Sequence, residues 1–367
     1  MLHIYIYIYI LFFIIAIIFD NFQIKDKYKK YLLLFSFGLL SLIVGLRNPY
    51  IWADTQVYMI GFNDGPTLST MTSNDEPIGY SEKGFFYLSV FLKTIRDGVT
   101  FYLLAISVLS FFLLYKFDKK YCIFPLIALC IYLARFGVGR NFMQIRAGLA
   151  IPIVLLSIKY IYDKSLWKFL ILIFIGYNIH HSALLALPLY LVNYIKLNKL
   201  HIFVGILISF IIAGLLGTNV KFLISNSDFV QEMAASYVDG NSEKAYSQSL
   251  ANPMIYYQCC ILFIFTFFEK KLASLSKYYY IIRSAYFYST VLLIVLCQYA
   301  ILSGRTSTIF ATFEMIIIPS FAYLFQKNIR KIYFVVLMVI FSIFFYLNWK
   351  PVQLTEVEVQ HAISISK

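Results

Sequence analysis

Apolar runs close to the length that crosses a bilayer recur from one end of this chain to the other, and they leave few folds open. A hydrocarbon layer about 30 Å thick takes roughly 20 residues of helix or about ten of tilted strand, and every backbone polar group inside it must be paired within the protein. The runs fall near 2–19, 31–46, 99–115, 121–135, 142–162, 166–180, 182–195, 200–217, 252–269, 281–302, 307–325 and 332–349, which predicts about twelve transmembrane helices. With 61% hydrophobic and 13% charged residues, the chain reads as an all-α polytopic membrane protein and not as a soluble domain. The opening IYIYIYIYI alternates like a strand, but a barrel needs many separate strands of about ten residues. It is read as a tyrosine-rich helix. No basic segment precedes this run and no small-residue cleavage site follows it, so it is expected to be a retained span.

The segment 84–95, GFFYLSVFLKTI, is too short to span and predicts an interfacial or re-entrant helix. The expected organisation is one transmembrane domain over 1–350, with outer loops at about 47–98 and 218–251 and a polar tail at 351–367. The second loop carries a short amphipathic run, FVQEMAASYV. The five cysteines all lie in apolar runs without ligand-like spacing and read as buried thiols.

A net charge of +13 in a membrane chain reflects orientation first, so no nucleic-acid partner is expected. The connections near 20–30, 116–120, 159–168, 196–199, 270–283 and 327–331 hold nineteen of the thirty-one basic residues, and they alternate correctly if all six are cytoplasmic. Both termini then lie outside. Seventeen of those nineteen are lysine, whereas six of the eight arginines (Arg47, Arg96, Arg135, Arg140, Arg146 and Arg305) fall on the outer side. Orientation asks only for a cation, and asks for fewer of them outside. The planar guanidinium fork is suited to phosphate and carboxylate, so the outer face looks built for an anion.

Three predicted spans begin at that face near arginine or histidine, where free N–H groups and the helix dipole favour an anion such as pyrophosphate. Span 142–162 starts beside Arg140 and carries Arg146 about one and a half turns inside, with Arg140 and Gln144 together on a different face. Span 182–195 follows His180 and His181, with Ser182 as its cap, and span 307–325 follows Arg305, with Thr306 or Ser307 as its cap. His180 and His181 are placed to act as a base or to bond a substrate hydroxyl, and Asp54 and Glu82 are rival bases. Glu314, midway along the last of these spans, is the carboxylate clearly at hydrocarbon depth.

The series GLR at 45–47, Asp54, Tyr58, EKGF at 82–85, IRAGLA at 145–150 and HHSAL at 180–184 with Pro188 resembles the EpsG-type, Wzy-like polysaccharide polymerases. The resemblance covers about residues 40 to 195. It implies a helical fold similar to the GT-C glycosyltransferases. The implied activity joins oligosaccharide repeat units carried on undecaprenyl diphosphate into O-antigen, capsule or exopolysaccharide, with the active site facing the outer side of a bacterial inner membrane. By position, Arg47 and Arg146 match the family's arginines, Asp54 and Glu82 its acidic pair, and His180 and Ser182 its histidine-x-serine motif. Ala147 stands where the family often has glutamine, and Trp52 and Ala53 where it often has glycine.

The candidate set is therefore His180, Glu82 and Asp54 as catalytic groups and Arg146, Arg140, Arg47 and Arg305 on the diphosphate. His181, Ser182, Gln144 and Tyr58 complete it on the rest of the substrate. The expected partners are a lipid-linked donor and acceptor and membrane lipid, with a flippase and a chain-length regulator implied by the resemblance. No clustered Asp-x-Asp is present, so the sequence requires no cofactor or metal, and Asp54 and Glu82 are the pair that would hold a divalent ion. The rival readings are a ligase that adds a single unit from the same donor, and a flippase or transporter of lipid-linked sugars, for which Glu314 is the main signal.

Overall fold

The computed structural model describes residues 2–21, 25–192, 194–195, 197–216 and 249–349. The run FVQEMAASYV, nearly all of the expected 218–251 loop and the tail at 351–367 lie outside them. Within the described residues regular structure is helical, with no strand. In chain order the helices are α1 (Leu2–Asn21), α2 (Asp26–Gly45), α3 (Ala53–Asn63), α4 (Lys83–Ile95), α5 (Val99–Tyr121), α6 (Pro125–Tyr132), α7 (Ile145–Leu156), α8 (Ile158–Tyr162), α9 (Leu166–Ile179), α10 (Leu187–Val192), α11 (Lys199–Leu216), α12 (Pro253–Phe267), α13 (Tyr279–Val295), α14 (Ala300–Ala311), α15 (Glu314–Ser320) and α16 (Lys327–Trp349).

The expected twelve spans are not confirmed among the described residues. Among the described residues, five helical stretches are long and apolar enough to cross a membrane, at Lys27–Gly45, Val99–Tyr121, Pro125–Met143, Ile145–Tyr162 and Lys327–Trp349. A sixth counts if Leu302–Ala311 and Glu314–Leu324, bent by 53° against each other, form one span. The remaining predicted runs appear among the described residues as apolar helices of 10–17 residues. The run at 182–195, for example, divides into a 3-10 turn, His181–Ala186, and α10.

The chain forms two compact units. One comprises Met1–Leu156, Ile171–Leu184 and Phe325–Lys367, and the other Ser157–Leu170 and Leu185–Leu324. In the first, the tyrosine alternation of α1 resolves as a helix because Tyr9, Phe13 and Ala16 share one buried stripe at helical spacing while Tyr7 is 69% exposed. Tyr9 stacks on Phe345 at 4.5 Å and donates its hydroxyl to the Cys130 carbonyl at 3.0 Å, tying α1 to α16 and α6. Helix α2 runs against α5, where Ser107 donates to the Ser41 carbonyl at 2.9 Å and Phe37 packs on Phe111 and Tyr115. The predicted short helix at 84–95 is α4, which buries Phe85, Phe86, Ser89, Val90 and Leu92 and exposes Tyr87, Phe91 and Ile95 one turn apart.

In the second unit, Glu314 opens α15 at the bend and is fully buried. Its two oxygens accept from Tyr257 of α12 at 3.2 Å and from Tyr286 of α13 at 3.1 Å, so a carboxylate that would be costly alone is held by two hydroxyl donors. Arg283, 1% exposed, pairs with Glu269 at 3.0 Å and donates to the Leu197 carbonyl at 2.6 Å.

Candidate functional site

The arginine stretch adopts a conformation that its sequence does not announce. Leu133–Met143 is a π-helix, with the Gln144 N–H closing an i to i+5 bond on the Gly139 carbonyl at 3.0 Å. Such wide turns are uncommon and frequent at functional sites. The expected span start at 142 is therefore displaced, and α7 begins only at Ile145. Arg146 stands in the first turn of α7 and not one and a half turns inside. Gly148 permits the abrupt join, since a Cβ there would come within 2.9 Å of the Arg140 carbonyl.

Arg146 is the hub of the first unit's polar cluster. Its Nε donates to the Tyr58 hydroxyl at 3.3 Å, and its Nη1 makes a short charged contact with Glu82 Oε2. Its guanidinium carbon lies 5.4 Å from the Tyr58 ring and 5.0 Å from the Tyr80 ring. Glu82, 4% exposed, precedes α4 in extended backbone, and its other oxygen accepts the His181 N–H at 3.3 Å. Burial alone would raise the Glu82 carboxyl, but the Arg146 charge, the neighbouring His180 and His181 rings and the His181 N–H together hold it below its ordinary value.

The approach of α4 to the end of α9 requires a glycine. A Cβ at Gly84 would stand 2.5 Å from Asn178 Cβ and 2.7 Å from its carbonyl oxygen, so glycine in EKGF lets Glu82 reach the His181 backbone. His181 stacks on Tyr177 with ring centroids 4.7 Å apart. Ser182 does not cap a span with its side chain. Instead, its N–H donates to His180 Nδ1 at 3.2 Å. A nitrogen that accepts this bond carries no proton, which leaves Nε2 as the ring's N–H.

A second arginine sits on the same face of α3. Arg47 Nη2 donates to Thr55 Oγ1 at 3.2 Å and Nη1 to the Val44 carbonyl at 2.7 Å. The Thr55 hydroxyl in turn donates to the Phe142 carbonyl at 2.9 Å, linking α3 to the π-helix. Among the described residues Arg47 has no carboxylate partner, and its buried Nε bonds nothing. Burial lowers its guanidinium to about 10, which leaves it charged at neutral pH.

Of the candidate residues, the structure joins Arg146, Glu82, Tyr58, His180, His181 and Ser182 in one contact network and ties Arg47 to the helix that carries Tyr58. Arg140 is 4% exposed inside the π-helix, with its guanidinium 4.7 Å from the Phe136 ring. Gln144, half-buried, closes that helix. Asp54 is half-buried in the first turn of α3, and its side chain makes no hydrogen bond or ion pair with a described residue. Arg305 belongs to the second unit and lies within α14, which starts at Ala300, so it does not precede a helix start and Thr306 or Ser307 does not cap one. Thr306 spends its hydroxyl on the Leu302 carbonyl at 2.8 Å. Sequence reasoning missed Thr55 and Tyr80, which carry no charge and lie in no recognisable pattern. Among the described residues no three of His, Cys, Asp and Glu are grouped to hold a metal ion.

This fold and cluster define a helical membrane protein with a buried arginine–glutamate site. The chain belongs to the EpsG family, whose model it matches over residues 30–357. It is thereby placed with the glycosyltransferase-like membrane proteins of polysaccharide biosynthesis. No curated protein and no solved structure matches it.

Proposed function

We propose that the chain polymerises oligosaccharide repeat units carried on a lipid diphosphate, undecaprenyl diphosphate by family, at the outer leaflet of a bacterial inner membrane. The observation that carries this reading is the pair of guanidinium groups bonded to Thr55 and Tyr58, neighbours one turn apart on α3. Arg47, without a carboxylate partner among the described residues, supplies the cation for the diphosphate, and Arg146, partly neutralised by Glu82, supplies directed N–H donors.

In the reaction, an acceptor hydroxyl attacks the anomeric carbon of the donor. Its proton passes to a base, the bond from that carbon to the diphosphate oxygen breaks, and the electron pair leaves on the diphosphate. Leaving-group charge and alignment are the main demands, and arginines meet the first without a metal. Glu82 is a poor base, since both oxygens are engaged and its carboxyl is held low. His180 is better suited to donate from Nε2 to a sugar hydroxyl. Asp54 is the carboxylate left to take the proton. Purified protein given lipid-diphosphate repeat units should yield a ladder of longer glycans, and an Arg47→Ala variant should lose it. A full ladder from that variant would remove Arg47 from the site.

A further inference from the structure

We propose that Tyr80 is a positioning residue for Arg146, a role that rests on the polymerase reading above. Three independent features seat its ring. Gly79 has φ +77°, the left-handed region that favours glycine, and a Cβ there would meet Val57 Cγ1 at 2.4 Å. Gly61 on α3 leaves the space beneath, where a Cβ would lie 3.0 Å from the Ile78 carbonyl oxygen and 3.4 Å from Tyr80 Cε1. Phe85 supports the ring edge-on at 5.4 Å. The segment therefore delivers an aromatic face to within 5.0 Å of the guanidinium.

The chain geometry couples this ring to the counter-charge. Tyr80 and Glu82, two apart in the chain, both meet Arg146. Glu82 fixes one edge of the fork, while the Tyr58 and Tyr80 rings, 6.3 Å apart at 53°, restrict where its plane can lie. A guanidinium already held in one orientation meets a phosphate without reorganisation. The phenol hydroxyl is not needed for this, so phenylalanine should serve and a residue without a ring should not.

The test compares Tyr80→Phe, Tyr80→Ala and Tyr80→Leu in the full-length protein in detergent. Ladder formation gives kcat and donor KM, and the rate at which phenylglyoxal modifies Arg146, followed by mass spectrometry, reports its restraint without any activity. The Phe variant should stay within about twofold of wild type on both readouts. Loss of the ring should lower kcat about tenfold with a smaller change in KM, and should raise Arg146 modification severalfold. The Leu variant keeps apolar bulk and serves if the Ala variant does not fold. Ringless variants with unchanged Arg146 reactivity and unchanged kcat would overturn the inference and leave the polymerase reading standing. A wild type that forms no ladder would overturn the polymerase reading, and Arg146 reactivity alone would then decide whether Tyr80 positions the arginine.

Discussion

At the scale of single residues, the site is organised by a charged pair taken largely out of water. The Arg146 side chain is 17% exposed and that of Glu82 5%. Removing one partner leaves the other buried without its counter-charge, so Arg146→Ala or Glu82→Ala alone should destabilise by about 3 kcal/mol, and the double variant by less than the sum. Thermal melts of the four proteins measure this directly, and strict additivity would contradict the pairing. The pair also sets a pH dependence. Because the folded Glu82 carboxyl is held below its ordinary value, the unfolded chain takes up the proton first on acidification. This stabilisation is full at neutral pH and is lost as pH falls through and below about 4.3. Wild type should therefore lose melting temperature more steeply than Glu82→Gln over that range, and equal slopes would contradict it. The sequence singled out both residues, Arg146 for a phosphate and Glu82 as a candidate base, but their pairing across 64 positions becomes visible only in the fold. Tyr80 and Thr55 were not singled out, since a ring or hydroxyl becomes specific only once folding decides what it touches.

At the scale of elements, the close joins depend on missing side chains. Gly84→Ala would drive a methyl against the Asn178 Cβ and carbonyl and push α4 away from the end of α9. The expected outcome is a destabilisation of about 1–3 kcal/mol together with a lost or shortened ladder, checked by melting and by gel. An unchanged melt and ladder would show that α4 moves without consequence. The helices themselves were legible from apolar runs, and α1 emerged from a strand-like alternation because tyrosines four apart meet Phe345 and Trp349. The π-helix was not legible. Its wider turn arises from packing and from the join at Gly148, and no single residue type in RFGVGRNFMQIR encodes it. That shift moved Arg146 into the first turn of α7 and Arg140 into the π-helix.

At the scale of the whole molecule, the helical class was legible from composition, while the count of twelve spans is not confirmed among the described residues, where six of the predicted runs appear as shorter apolar helices. Glu314 shows the same limit. In sequence it suggested a transport path, whereas the structure binds both its oxygens to Tyr257 and Tyr286 at a helix bend. Glu314→Gln should preserve that junction and Glu314→Ala should lower the melting temperature by several degrees; equal melts would show that the bonds are dispensable. The central claim is bond formation on a lipid-linked donor, and the most direct measurement is product length. Purified wild-type protein in liposomes, supplied with lipid-diphosphate repeat units, should produce a ladder of glycans on lipid, and Arg47→Ala, still folded, should produce none. A donor that crosses the bilayer without forming any new glycosidic bond, or a single addition with no ladder, would contradict the account.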